Sequence, residues 1–245
     1  MLPDKNAYVA ALVCTLQNHA NAEQAIQMKR YMKEQFDFLG IRAPLLAQLV
    51  KQFVLDHGWP TPEDIAGVAQ YLWALPHREC QYAGLALLKH GLPESSEACI
   101  RLFEDIITSK SWWDTVDDIA KNIVGLYFLS HKSSDKETVD ECVDLWLSSG
   151  NIWLQRTVVL HQLGYKDQTD EALLFSSIER VMDSKEFFIR KAIGWALREY
   201  AKVRPQRVVA FVEGSPALSG LSRREALKHV NQQARHVHQE EIVVD

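Results

Sequence analysis

The sequence lacks long apolar runs. No stretch approaches the roughly 18 uninterrupted apolar residues that a membrane-spanning helix needs. The first six residues contain no basic segment followed by an apolar one, so no secretory signal is indicated. We therefore expect a cytoplasmic protein that does not interact with a membrane.

Cysteine is scarce as well. The four cysteines are far apart in the chain, without a CxxC pair and without histidines at zinc-finger spacing beside them. This spacing argues against a metal knuckle and against a disulfide framework. We predict that all four are small buried hydrophobic residues: Cys14, Cys80, Cys99 and Cys142.

Glycine and proline are also few, at 11 and 8 residues, and no Pro-rich or Ser/Gly-rich run is typical of a linker. The chain has 245 residues, of which 47% are hydrophobic, and is therefore long enough to bury a full core. We predict a single domain over residues 1–245.

A positive net charge is missing too. The chain carries 27 basic and 32 acidic residues, a net charge of -5, which argues mildly against nucleic acid as a partner. Between Lys185 and Lys228, however, ten basic residues face only four acidic ones, a local surplus of +6. A polyanion could bind there, although charge alone favours ordinary solvated helix faces.

Apolar residues recur at spacings of three and four along nearly the whole chain, and no convincing alternating strand pattern is present. A weak repeat aligns Gln81, Gln155 and Arg190, with a step of 35 residues between the last two and 74 between the first two. Small residues follow at 83, 157 and 192. The pattern predicts an all-α fold, a HEAT-like α-solenoid of stacked antiparallel helix pairs with a concave groove. Such a groove suits duplex DNA, a peptide or a protein, so the architecture leaves the function open.

One helical segment combines an indole with a carboxylate. Ser111 is a reasonable N-cap for it, and Trp113 and Asp117 are four residues apart and so share a face. Neighbouring units contribute Arg156 and Trp195. Taken singly, each has an ordinary explanation, because a tryptophan at helical spacing is usually a core residue and an Asp beside an Arg is usually a structural ion pair.

Several longer runs resemble the AlkD family of DNA alkylation repair glycosylases. The resemblance covers nearly the whole chain in order, and its most specific parts are the Ser-Trp-Trp-Asp segment at 111–114 and the Lys-Ala-Ile-Gly-Trp segment at 191–195. The matching runs lie at residues 30–33, 38–41 with Pro44, 110–117, 151–156, 184–189 and 191–200.

The resemblance implies a HEAT-like enzyme that hydrolyses the N-glycosidic bond of purines alkylated at N3 or N7, without metal or cofactor. Asp117 matches the family's catalytic carboxylate, Trp113 and Trp195 its two flanking indoles, Arg156 its DNA-backbone arginine, and Tyr31 a tyrosine near the lesion. Asp114 and Asp118 remain rivals on helix geometry alone. Arg42 stands where the family has a polar, often uncharged residue, so DNA contacts near it are expected to differ.

Further phosphate contacts are expected from about half of a basic set that the sequence does not rank: Lys185, Arg190, Lys191, Arg198, Arg223 and Arg224. The expected partner is double-stranded DNA with alkylated bases, bound by a monomer. No lysine stands out as a Schiff-base nucleophile, so we expect a monofunctional hydrolase.

Three alternatives stay open. The first is a HEAT-like module that recognises DNA structure or a protein without catalysis. The second is a repair enzyme for bulkier or minor-groove adducts, and the third is a peptide-binding scaffold. The last gives no reason for the Trp, Asp, Arg and Trp set.

Overall fold

The computed structural model describes residues 4–132 and 134–230, and its contacts divide the chain into two compact units, Met1–Lys110 and Ser111–Asp245. In the described part of the first unit the regular structure is helical. Its helices are α1 (Lys5–Gln17), α2 (Ala22–Tyr31), α3 (Ala43–His57), α4 (Pro62–Ala74), α5 (Arg78–Leu88) and α6 (Ser96–Thr108).

The first unit is built by helices that pack on their neighbours in sequence. Helix α4 packs against α1, α5 and α6, and α3 packs against α1 and α5. The core between them is apolar and includes Leu12, Leu16, Val68, Leu72 and Leu87, each without solvent exposure. Burying such side chains is the main term that stabilises the packing.

The second unit continues the helical pattern. Its helices are α7 (Trp113–Ile119), α8 (Gly125–His131), α9 (Lys136–Ser148), α10 (Ile152–Leu160), α11 (Glu171–Glu179), α12 (Phe187–Tyr200), α13 (Pro205–Gly214) and α14 (Gly220–Ala226). Helix α10 packs against α7, α9, α11 and α12, and α12 also packs closely against α13 and α14.

Local sequence explains where several helices begin. Asn151, Asp170 and Ser219 each accept a main-chain N–H of the first turn and so cap α10, α11 and α14. Pro205 opens α13 at a position where its missing N–H has no cost. The Ser111 cap predicted from the sequence is wrong, because α7 begins at Trp113 and its N-cap is Trp112, which makes no side-chain cap.

The repeat read from the sequence has a shared structural role. Gln81 Nε2 donates to the carbonyls of Leu72, Trp73 and Leu75 at the end of α4, and Gln155 Nε2 donates to the Leu147 carbonyl at the end of α9. Arg190 Nε donates to the carbonyl of Ser184, just before α12. The equivalent positions therefore satisfy carbonyl groups at the end of the preceding helix or in the loop after it. The small residues two positions later are fully buried, at 83, 157 and 192.

A π-helical turn, Ala120–Val124, joins α7 to α8. The residue that caps it is Gly125, whose N–H donates to the Ala120 carbonyl and whose own carbonyl accepts a hydrogen bond from the Tyr165 hydroxyl. A Cβ at Gly125 would lie 2.2 Å from the His161 carbonyl, so only glycine allows this approach of the backbones. The turn thus fixes α8 against the end of α10.

The prediction of an all-α fold is confirmed, since the described residues of both units form helices and no strand. The buried cysteine prediction is confirmed for Cys80, Cys99 and Cys142 and wrong for Cys14, which is exposed on α1. The single domain over 1–245 stays a prediction, and parts of that range lie outside the described residues. Among the described helices, none combines the length and the apolar character that crossing a membrane requires.

Candidate active site

One cavity of about 390 Å³ in the second unit is lined by six of the residues that the sequence singled out. Its volume is within the usual range for a small-molecule site. Helices α7, α10, α12 and α14 supply its walls. The side chains that line it include acidic, basic and aromatic residues. The lining residues are Trp113, Asp117, Arg156, Phe187, Phe188, Lys191, Trp195, Arg198 and Glu225.

Asp117 lies one helical turn after Trp113, and both line the cavity. The side chain of Asp117 is 15% exposed to solvent. Its two oxygens accept from one guanidinium: Arg156 Nε donates to Oδ1 at 2.7 Å and Nη2 to Oδ2 at 2.8 Å. This paired geometry fixes both the position and the plane of the carboxylate.

Arg156 is itself held by contacts beyond Asp117. Its side chain is 5% exposed, and Nη1 donates to the main-chain carbonyl of Phe188, whose ring centroid lies 5.8 Å from the guanidinium carbon. The Asn151 cap and the Gln155 hydrogen bond fix the start of α10, from which Arg156 projects. The arginine therefore has little freedom to leave the carboxylate.

Two opposing effects act on the protonation of Asp117. Burial raises the pKa of its carboxyl, because the charged form loses hydration, while the hydrogen bonds and positive charge of Arg156 oppose that rise. Asp114 adds a smaller rise through its negative charge. Burial is the larger effect, so we take the pKa to lie above the ordinary aspartate value.

Helix α12 presents four side chains to the cavity along one face. Phe187, Lys191, Trp195 and Arg198 follow each other at spacings of four, four and three residues. Phe187 is 58% exposed, which is unusual for a phenylalanine at a helix start. This face therefore offers aromatic surface and positive charge side by side.

The neighbouring Phe188 is turned inward. Its ring lies 5.1 Å from that of Trp112 and 4.9 Å from that of Trp153, between centroids. These contacts join the starts of α7, α10 and α12 into one aromatic cluster. The cluster supports the cavity from behind and positions the carbonyl that Arg156 binds.

A second carboxylate closes the cavity on the side of α14. Glu225 Oε1 lies 2.9 Å from Lys191 Nζ, and its Oε2 lies 2.6 Å from Arg198 Nη1. Gly194 makes this approach possible, because a Cβ there would lie 2.5 Å from the Glu225 Cβ. Hydrogen bonding to Lys191 lowers the pKa of the Glu225 carboxyl, which keeps it ionised at neutral pH.

The structure brings together six of the residues proposed from the sequence: Trp113, Asp117, Arg156, Lys191, Trp195 and Arg198. Of the three aspartates on α7, all within the described part of the chain, Asp117 alone lines this cavity. The rival Asp118 accepts a hydrogen bond from Asn122 at 2.7 Å. Helix facing thus separates residues that spacing alone left equivalent.

Other predicted DNA contacts lie elsewhere. Arg223 donates to the main-chain carbonyls of residues 212, 215 and 218, which makes it a partner of the fold, and Arg190 is likewise bonded to a carbonyl. Lys185 is exposed in the loop before α12, and Tyr31 ends α2 in the first unit with 70% exposure. DNA contacts by these residues, and by Arg156, stay predictions.

Three lining residues were not predicted from the sequence: Phe187, Phe188 and Glu225. The spacing of Phe187 before Lys191 and Trp195 was a usable signal. For Glu225, one more repeat step of 35 residues from Arg190 leads to this position. Within residues 4–132 and 134–230, no group of three His, Cys, Asp or Glu side chains is arranged to hold a metal ion.

Comparison with known proteins gives a consistent result. The family model described as DNA alkylation repair enzyme matches residues 12–230. Among solved structures, the chain is similar to a predicted DNA alkylation repair enzyme from Enterococcus faecalis, with 33% sequence identity and a TM-score of 0.73 over 85% of this chain and 95% of that one. No curated protein matches the chain.

Proposed function

Because the chain belongs to the family of DNA alkylation repair enzymes, we propose that it is a monofunctional glycosylase that removes purines alkylated at N3 or N7 from duplex DNA. The observation that carries the proposal is the arrangement of Asp117, Trp113 and Trp195 on one cavity, with the carboxylate held by Arg156. No metal or cofactor is part of the proposal.

The chemistry of the lesion explains why this small set suffices. Alkylation at N3 or N7 gives the purine a positive charge, so the C1′–N bond can break with its electron pair moving onto the base, which leaves neutral without a general acid. The sugar then acquires oxocarbenium character. A fixed carboxylate stabilises that charge, as in glycoside hydrolysis.

Asp117 has two tasks in this scheme. It stabilises the cationic sugar and accepts a proton from the water whose oxygen bonds to C1′. Both tasks need the ionised form, and Arg156 favours that form although burial opposes it. We therefore assign Arg156 a role in positioning Asp117, and the phosphate contact expected of Arg156 from the sequence stays a prediction.

The two indoles act on the same developing charge. The electron-rich faces of Trp113 and Trp195 attract a cation and provide a surface for the deoxyribose. The exposed ring of Phe187 extends that surface toward solvent. These contacts do not read base identity, so the enzyme selects lesions by how readily the base leaves.

Lys191 is the lysine on the cavity wall, and it would be the candidate for strand cleavage through a Schiff base. Its Nζ lies 2.9 Å from Glu225 and so already serves as a charged partner. We assign Lys191 to phosphate binding and propose that base release leaves the DNA strand intact.

The test is release of free base from duplexes that contain 7-methylguanine or 3-methyladenine. Asp117→Asn is expected to lower the rate at least about a hundredfold while the protein still binds DNA, because one electrostatic contact to a transition state is worth that much. Asp118→Asn, one residue away with the same chemical change, is the control and should keep the rate within about twofold. Trp195→Ala is expected to fall between them.

Two outcomes would overturn the proposal. If the unaltered protein binds the duplex but releases no base, a non-catalytic DNA-binding module replaces the glycosylase. If Asp117→Asn and Asp118→Asn lose the same activity, the carboxylate assignment fails. Thermal denaturation of each variant establishes that the folded proteins are compared.

A further inference from the structure

Lys191, Arg198 and Glu225 form a compact charge cluster at the edge of the cavity. The two cations come from one face of α12 and share the single carboxylate from α14, so the cluster has a net charge of +1. All three side chains are partly exposed: 39% for Lys191, 22% for Arg198 and 24% for Glu225. The cluster is therefore accessible to an anion in solution.

The charge cluster lies beside Trp195 on the wall of the cavity. Trp195 stands between Lys191 and Arg198 on the same side of α12, and these three residues line one cavity with Glu225. An anion bound to the two cations would lie beside the indole. For a DNA strand whose sugar contacts Trp195, the phosphodiester next to that sugar is the anion that these two cations would meet.

Glu225 is held in place by the fold itself. Gly194 lets the backbone of α14 approach α12, and the buried Ser222 hydroxyl donates to the Arg190 carbonyl at 2.9 Å. Arg223 ties the start of α14 to carbonyls of the preceding segment. A carboxylate fixed in this way opposes any phosphate that approaches the same two cations.

We infer that Glu225 is an intramolecular competitor of the DNA backbone: it occupies Lys191 and Arg198 until a phosphodiester replaces it. This inference rests on the proposed function, because it names the strand contact of the same site. The gain for the enzyme is weak binding to undamaged DNA, since each encounter must displace a carboxylate. It also keeps both cations oriented toward the cavity before DNA arrives.

The experiment measures affinity for an undamaged fluorescent duplex by anisotropy over a series of salt concentrations. Glu225→Gln keeps the size of the side chain and removes its charge. It is expected to bind about five- to tenfold more tightly at low salt, and the slope of log K against log salt should steepen by about one, as for one more available phosphate contact. Glu225→Asp, with a shorter reach, should give a smaller gain of the same sign.

The matched control is Glu213→Gln. Glu213 is exposed near the end of α13 and does not line the cavity, and its substitution changes the net charge by the same amount. It should change affinity by less than about twofold. A second control adds Glu225→Gln to a protein that already carries Lys191→Met and Arg198→Gln. In that background Glu225→Gln should not increase the affinity for DNA, because the two cations for which the carboxylate competes are absent.

The inference is overturned if Glu225→Gln binds no more tightly than Glu213→Gln, or if its gain persists fully in the background without the two cations. Base release is measured separately, which keeps the two proposals apart. Tighter DNA binding by Glu225→Gln in a protein that releases no base would support the competitor role of Glu225 and contradict the proposed glycosylase activity. Base release with unchanged binding would do the reverse.

Discussion

Two buried arginines, one in each unit, are held in nearly the same way. Arg78 and Arg156 each donate through Nη1 to a main-chain carbonyl 32 residues further along the chain. Each guanidinium also lies near an aromatic ring, 3.8 Å above Phe36 for Arg78 and 5.8 Å from Phe188 for Arg156. In both units, therefore, a buried arginine links a helix to a distant main-chain carbonyl and packs near an aromatic ring.

The acidic residues near these arginines differ. Glu79, fully buried, accepts three main-chain N–H groups, from Leu39, Gly40 and Ile41, at 2.8 to 3.1 Å. Asp117 accepts the paired bond of Arg156 and also lines a cavity. A carboxylate surrounded by backbone donors fixes a loop, whereas one with an open side can meet a substrate.

The sharpest test of this contrast is Glu79→Gln. The amide retains one acceptor but turns an N–H₂ toward backbone donors, so we expect the free energy of unfolding to fall by about 4 kcal/mol. Denaturant unfolding measures the change. Glu34→Gln, an exposed residue of the same unit, is the control and should change stability by under about 0.5 kcal/mol.

The activity of Glu79→Gln matters equally. Base release per folded molecule should stay within about twofold of the unaltered protein, measured at a temperature where the variant is folded. If the variant is as stable as the unaltered protein yet releases base much more slowly, the structural assignment of Glu79 is wrong and the contrast with Asp117 disappears.

The sequence made the helical fold predictable because apolar spacing is a local property. The repeat at Gln81, Gln155 and Arg190 was visible for the same reason, and its shared carbonyl contacts follow from it. The i to i+4 spacing also placed Trp113 and Asp117 on one face, which the cavity bears out.

Charge counting was less informative, because a count does not say what a charge contacts. Arg223 adds to the basic surplus of the sequence, but its N–H groups donate to backbone carbonyls. Glu225 is one of the four acidic residues that reduce this surplus, although it forms ion pairs with two of the cations. Both roles depend on how α14 packs, which no local pattern contains.

A second test uses pH to examine the link between Arg156 and Asp117. The rate should be highest where Asp117 is ionised and should fall as the pH drops through its pKa, which burial raises. Arg156→Lys loses the paired hydrogen bonds that oppose this rise. The acid limb of the pH profile should therefore move to higher pH, with about a tenfold lower rate at neutral pH.

The matched variant is Arg78→Lys in the first unit, which should lower stability without moving the acid limb. An unchanged limb in Arg156→Lys would mean that the arginine does not control the protonation of Asp117. The positioning role assigned to Arg156 would then have to be abandoned, even if the rate fell.

The smallest expected effect compares the two units at equivalent repeat positions. Gln81 is fully buried and donates to three carbonyls, the nearest being Leu75 at 2.9 Å, whereas the partly exposed Gln155 donates to Leu147 alone at 3.0 Å. We expect Gln81→Ala to cost about 2 kcal/mol of unfolding free energy and Gln155→Ala about 1 kcal/mol, because water can reach the carbonyl left behind by the second. Equal costs in denaturant unfolding would mean that burial does not distinguish the two positions. A larger cost for Gln155→Ala, accompanied by slower base release, would instead tie this repeat position to Arg156 next to it, and the second unit would then depend on its repeat for catalysis as well as for packing.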